Sequence, residues 1–274
     1  LLDSLATELR RELHVRDVVE HLARGSEPGT VSVNFSIIPH EIGFDISLPR
    51  LLYRSDGNFT GEAQARVRYK GANLAAAVVS DGNQLVERFT GGSLRFEAPA
   101  GRAKAALLVE DYHEQWNPDT VRLAGSQLYR ARRNVAPEIS VPVGGGFSFS
   151  AGASFQEMQG QGAAPTTSAN SGTFDARFSR SVEGAGVQQQ VSGRYSLRLA
   201  SKAFGSTWAY ARHMVSVRYQ VKSGRHTAAD ELVAGTIAGN APMFERFSLG
   251  SATTLRGWDR FTLDPVGGRR IVHN

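Results

Sequence analysis

The sequence predicts an all-β protein, an antiparallel transmembrane β-barrel, and three observations carry that expectation. From about residue 60 onward apolar and polar residues alternate almost everywhere, so each segment has one apolar and one strongly polar face. The alternating runs last ~9–14 residues, longer than the ~5–6 usual for globular strands and matched to the ~9–11 of a tilted bilayer crossing. Charged residues make up 21% of the 274 and the mean hydropathy is −0.27, and no stretch approaches the ~20 consecutive apolar residues of a spanning helix. In a barrel only every second residue meets lipid, so average hydropathy stays near that of a soluble protein.

Taken in order, the first segment reads as a helix. Leu2, Leu5, Leu9 and Leu13, continued by Val15, Val18, Val19 and Leu22, make a broad apolar stripe; Asp3 or Ser4 caps its start, and Gly25 with Pro28-Gly29 ends it. The stripe suits packing within a small domain better than an interfacial membrane helix. Val31 to Ile38 then alternates as a strand, which makes residues 1–40 the end of a small α+β unit. No signal peptide is visible in this charged helix. Residues 41–274 are expected to form the partial barrel.

The strands follow with their turns. Ala63, Ala65, Val67 and Tyr69 oppose Glu62, Gln64, Arg66, Arg68 and Lys70; Phe147, Phe149, Ala151, Ala153 and Phe155 oppose Ser148, Ser150, Ser154 and Gln156. Val187, Val191, Tyr195, Leu197 and Leu199 oppose Gln188, Gln190, Ser192, Arg194 and Arg198, and Val215, Val217, Tyr219 and Val221 oppose Ser216, Arg218, Gln220 and Lys222. Breakers lie between the runs, at Lys70-Gly71-Ala72-Asn73, Pro99-Ala100-Gly101, Gly144-Gly145-Gly146, Glu183-Gly184-Ala185-Gly186 and Lys222-Ser223-Gly224. A polar face of Arg, Gln and Ser suits a wet lumen, whereas a sandwich demands apolar packing against a second sheet. Trp116 to Leu128 reads as a loop with a short helix, and Gln159–Ser171 as a flexible loop tip. The count is about ten strands before a long loop at about 239–266, after which Arg269 to Asn274 stops inside a strand, as in a truncated fragment.

Several functions are excluded or disfavoured. No cysteine is present, which removes disulfides, thiolate metal sites and a thiol nucleophile. The net charge of +5 and pI of about 9.7 come from basic residues scattered singly; Arg130, Arg132 and Arg133 are the one dense group, so no nucleic-acid partner is expected. No Gly-x-Ser-x-Gly elbow, His-Glu-x-x-His helix or phosphate loop occurs. Asp111-Tyr112-His113-Glu114-Gln115-Trp116 gathers ionisable and aromatic groups, but reads as a strand end with Tyr112 and Trp116 in an interfacial girdle. His21, His40, His213 and His226 show no pairing. No catalytic residue, metal or cofactor is expected.

The sharpest motif is Leu255-Arg256-Gly257-Trp258, set in the long loop behind Phe244-Glu245-Arg246-Phe247-Ser248-Leu249-Gly250 and ahead of Gly267-Gly268. A loop inside a polar barrel must satisfy its own backbone and needs an anchor. Arginine offers a planar fork of donors and a permanent charge, Gly257 permits a tight turn, and Trp258 adds a stacking surface. Phe247 and Gly250 support the loop from its first limb.

These residues resemble the inward-folded loop of the BamA-type outer-membrane barrels, the bacterial surface antigen family that inserts or secretes other proteins. In that family a glycine pair precedes a Val/Ile/Leu-Arg-Gly-aromatic signature; residues 244–274 carry the likeness and residues 60–238 share only the succession of strands. Here Ser251 replaces the second glycine of the pair. The acidic motif that would receive Arg256 falls in a strand beyond Asn274. The resemblance implies a barrel of roughly sixteen strands, of which this chain holds about ten or eleven, preceded by periplasmic POTRA-like domains of which residues 1–40 would be the last part. It implies a non-enzymatic role at the bacterial outer membrane, with outer-membrane lipid, unfolded outer-membrane or secreted clients and accessory lipoproteins as partners. A passive porin-like channel is the alternative.

Overall fold

The computed structural model describes residues 2–13, 16–25, 30–38, 42–53, 59–81, 88–114, 128–160, 162–184, 186–242, 245–247, 249 and 268–273. Helix α1 (Leu2–Leu13) opens the chain, with Asp3 in its first turn and Arg10 and Arg11 in its last, the signs that its dipole favours. The helix is shorter than the apolar stripe predicts. Val18, Val19 and Leu22 instead lie on strand β1 (Asp17–Arg24), which pairs antiparallel with β2 (Val31–Ile38) from Asp17 opposite Ile38 to Arg24 opposite Val31. Adjacent β-branched residues are stiff at χ1 and fit a pleated ladder better than a helix, and the paired strand satisfies the backbone that a helix would satisfy internally. An ion pair of 2.5 Å from Arg10 to Asp17 ties the helix to the hairpin. That hydrogen bond, followed by one from the Val18 N–H, holds the Asp17 carboxyl below its ordinary range.

The remaining strands form one 13-stranded antiparallel sheet. They are β3 (Ile42–Tyr53), β4 (Phe59–Tyr69), β5 (Ala72–Asp81), β6 (Arg88–Ala100), β7 (Ala103–Glu114), β8 (Tyr129–Gly144), β9 (Phe147–Gly160), the short β10 (Thr167–Ser168), β11 (Ser171–Gly184), β12 (Val187–Ala200), β13 (Ala209–Ser223), β14 (His226–Asn240) and β15 (Arg269–His273). Each strand pairs with its neighbour in sequence, β10 hanging off β9, so eleven wall strands precede the long loop and one follows it. Among the described residues β3 and β15 are the two open edges.

Connections alternate in length. At one end β4–β5, β6–β7, β8–β9, β11–β12 and β13–β14 are joined by two-residue turns; at Lys70-Gly71 both φ values are positive, 45° and 83°, the twist a tight hairpin requires. The opposite end carries every longer connection, from 54–58 to 241–268. Short turns at one rim and long loops at the other are the pattern of outer-membrane barrels.

Burial inverts the usual rule. On β9, Ser154 and Gln156 are 1% and 3% exposed, whereas Phe147 and Phe155 are 49% and 52% exposed. The registers carry the same two faces across the sheet. Phe44, Val67, Leu74, Phe96, Leu107, Ile139, Phe149, Phe174, Leu199, Val215 and Leu232 all lie exposed on the apolar side. Rings stack across that side from Phe147–Phe178 and Phe149–Phe174 to Phe174–Tyr195 and Tyr195–His213. Where the band carries polar atoms they pair, as Tyr195 Oη and His213 Nδ1 do at 2.8 Å. The other side is laced with ion pairs: Arg95 reaches Glu97 and Glu138, and Arg194 reaches Asp175 at 2.6 Å. Water-facing polar residues inside and apolar residues outside are what a membrane barrel wall needs.

Candidate functional site

Immediately after β14 the chain returns to the polar face at Glu245 and Phe247. The first limb of the long loop turns at Pro242, whose carbonyl accepts from the Glu245 N–H at 3.1 Å, and Arg246 Nε donates to the Ala241 carbonyl at 3.2 Å. These contacts aim Glu245 and Phe247 at the wall, and both side chains are buried.

Glu245 meets two arginines from neighbouring strands. Arg198 of β12 and Arg212 of β13 are direct cross-strand partners; Arg198 Nη1 hydrogen-bonds Glu245 Oε1, and Arg212 Nε lies 3.8 Å from Oε2. Burial pushes the Glu245 carboxyl up, but the positive field of Arg198, Arg212 and then Arg132 of β8 outweighs it, and the net shift is downward. The carboxylate therefore stays charged. Arg132 is itself 3.5 Å from Glu114 at the end of β7, so the charge cluster spans the wall from β7 to β13.

Phe247 lies against Gly235 of β14, where any Cβ would overlap the ring. The Arg212 guanidinium stands 4.9 Å from the ring centroid and Arg270 of β15 stands 5.5 Å from it. In the register Gly235 sits between Met214 and Arg270, so the ring occupies the gap that a glycine leaves in the sheet. The face of β14 that pairs with Arg212 and Arg218 breaks the polar pattern, carrying Val233, Gly235 and Ile237. That departure was the readable signal for a covered patch, and sequence reasoning missed it along with Glu245, Arg198, Arg212 and Arg270.

Of the residues expected to form the site, Phe247 lies against Gly235 on the polar face. Gly250 and the motif Leu255, Arg256, Gly257 and Trp258 lie outside the described residues.

Neighbouring loops pack against one another at the same end. Residues 162–170, expected as a flexible tip, are ordered: Thr167–Ser168 pairs with Glu157–Met158, the Thr207 N–H donates to the Ser168 carbonyl at 2.9 Å, and Asn170 Nδ2 donates to the Phe204 carbonyl at 3.0 Å. Trp208 packs beneath them against Tyr129, Met158 and Ala169 on one side and Ala200, Tyr210 and Ala241 on the other. Composition alone favoured flexibility there; the paired backbone and the contacts of the half-buried Trp208 overrode it.

Tyr112 also departs from expectation. It is buried on the polar face beside Arg132 in the register, because Asp111 and His113 take the apolar side. Trp116 lies outside the described residues. The dense Arg130–Arg133 group is divided by the strand period: Arg132 turns inward to Glu114 and Arg133 outward to Asp111. Among the described residues no group of three metal-binding side chains occurs.

No family model matches the sequence, and no curated protein matches it. Among solved structures the chain is similar to the crystal structure of BamA from Haemophilus ducreyi lacking POTRA domains 1–3, with a TM-score of 0.55 and 12% sequence identity. The match covers 93% of this chain and 53% of that one, so the chain spans about half the length of its structural neighbour. The order of strands, the inverted burial and this likeness together give the chain a BamA-like β-barrel fold.

Proposed function

We propose that the chain contributes the wall of a bacterial outer-membrane barrel that inserts or secretes other outer-membrane proteins without catalysing a reaction. The observation that carries this reading is the short stretch after β14, whose Glu245 and Phe247 lie buried against the polar face. A segment fixed inside the wall suits a barrel whose shape must be controlled. A seam between the first and last strands of the whole barrel would supply the chemistry that insertion requires, since unpaired backbone groups accept an incoming strand by β-augmentation. Lipid contacts the apolar face, and unfolded barrel proteins or secreted chains are the clients, delivered with accessory lipoproteins. Residues 1–40 serve as the last part of a periplasmic domain.

Replacing Arg256 by Ala in the full-length protein tests the reading. Depleted levels of other outer-membrane proteins, with the variant itself normally folded in the membrane, are expected. Normal client levels with an altered single-channel conductance would instead identify a passive channel.

A further inference from the structure

We propose that Glu245 and Phe247 form a dock that fixes the first limb of the long loop to four consecutive strands, with Glu245 as its positioning residue. Each of those strands contributes one residue: Arg198 from β12, Arg212 from β13, Gly235 from β14 and Arg270 from β15. Two unlike interactions converge on a three-residue stretch. One is a buried ion pair, the other an aromatic ring laid on bare backbone between two guanidinium groups.

Arg212 belongs to both, facing the Glu245 carboxylate and the Phe247 ring, so the two halves set each other's geometry. Arg246 folds back on Ala241 and keeps the limb compact. Among the described residues the dock is built from Glu245, Phe247 and the four wall strands. It also explains the glycine in the middle of β14, a position where a strand ordinarily gains from a side chain.

Charge makes the dock specific. Without Glu245, Arg198 and Arg212 face each other across adjacent strands, with Arg132 adding to the positive field. The carboxylate is the counter-ion of Arg198 and Arg212, while Arg132 has Glu114 at 3.5 Å.

The consequence for client assembly rests on the function proposed above; the position of the loop does not. The test is limited trypsin digestion of the full-length protein in proteoliposomes, with cleavage after Arg256 and Arg260 followed by mass spectrometry. Folding of each variant is monitored by its heat-modifiable mobility. Glu245→Ala and, separately, Gly235→Ala are expected to raise cleavage in the loop at least tenfold while the barrel stays folded. Glu245→Arg combined with Arg198→Glu is expected to restore protection. Gly235→Ala leaves every charge in place and adds one methyl group where the Phe247 ring lies, so it decides the matter even if Glu245→Ala fails to fold. Unchanged protection in a folded Gly235→Ala barrel would overturn the dock. Client assembly, measured in parallel, separates the two proposals. An exposed loop with normal assembly upholds the dock and counts against the assembly role; a protected loop with impaired assembly does the reverse.

Discussion

Arg198 and Arg133 both pair with a carboxylate, yet their surroundings give them different energetic weight. Arg198 faces the buried Glu245, whereas the Arg133–Asp111 pair is 60% and 56% exposed on its two side chains. Removing one partner of a buried pair strands a charge and costs about 3–5 kcal/mol; exposed pairs contribute about 0–1 kcal/mol. Arg198→Ala should therefore lower the urea midpoint in vesicles clearly, while Arg133→Ala should barely move it. Equal effects would contradict the burial assigned to Glu245. The same carboxylate sets a pH dependence. Its folded pKa is lowered, so its stabilisation is fully present above the ordinary glutamate range of about 4.3. It is lost only as pH falls through the lower folded value. Arg198, Arg212 and Arg132 surround the carboxylate and Tyr210 adjoins it. Hydrogen exchange over 245–247 should remain slow at about pH 4.3, the ordinary glutamate value. Opening already at neutral pH would mean that burial, not the arginine field, governs the carboxyl.

At the scale of elements, β9 states the membrane reading in one strand. Phe149 faces outward and Ser148 faces inward. An arginine on the lipid side of a barrel costs about 2–4 kcal/mol at the bilayer midplane, and lumen positions are far more tolerant. Phe149→Arg should thus impair folding into vesicles much more than Ser148→Arg. Similar tolerance at both positions would sink the assignment of faces. The packed loops make a separate claim. Trp208 joins two small apolar clusters beneath residues 162–170, and Trp208→Ala should release that segment to protease while the strands keep their amide protection. The strands themselves were readable because a period of two over many residues has no other regular explanation. The β1 segment was not: leucine and valine at mixed spacings satisfy both periods over so short a run, and only the partner strand Val31–Ile38 decides between them.

The whole molecule is a sheet with the polarity of a membrane wall: exposed apolar residues on one side, buried ion pairs on the other, tight turns at one rim and long loops at the opposite one. Among the described residues such a sheet buries only small apolar clusters, too little to fold around in water. The 274-residue chain should need micelles or vesicles to reach its strand-rich form, as followed by circular dichroism; a monodisperse folded species in plain buffer would overturn the barrel reading. The sequence by itself determined the fold class and the two faces, because alternation along a strand maps directly onto lipid and lumen. Only the tertiary structure decided that Glu245 is the anion held on the polar face, that Arg198, Arg212 and Arg270 come from three separate strands to meet it and Phe247, and that Gly235 opens the seat. The physical reason is register. Cross-strand neighbours are fixed by pairing over long sequence separations, and no local pattern reveals which arginine of one strand will face the carboxylate of a distant loop.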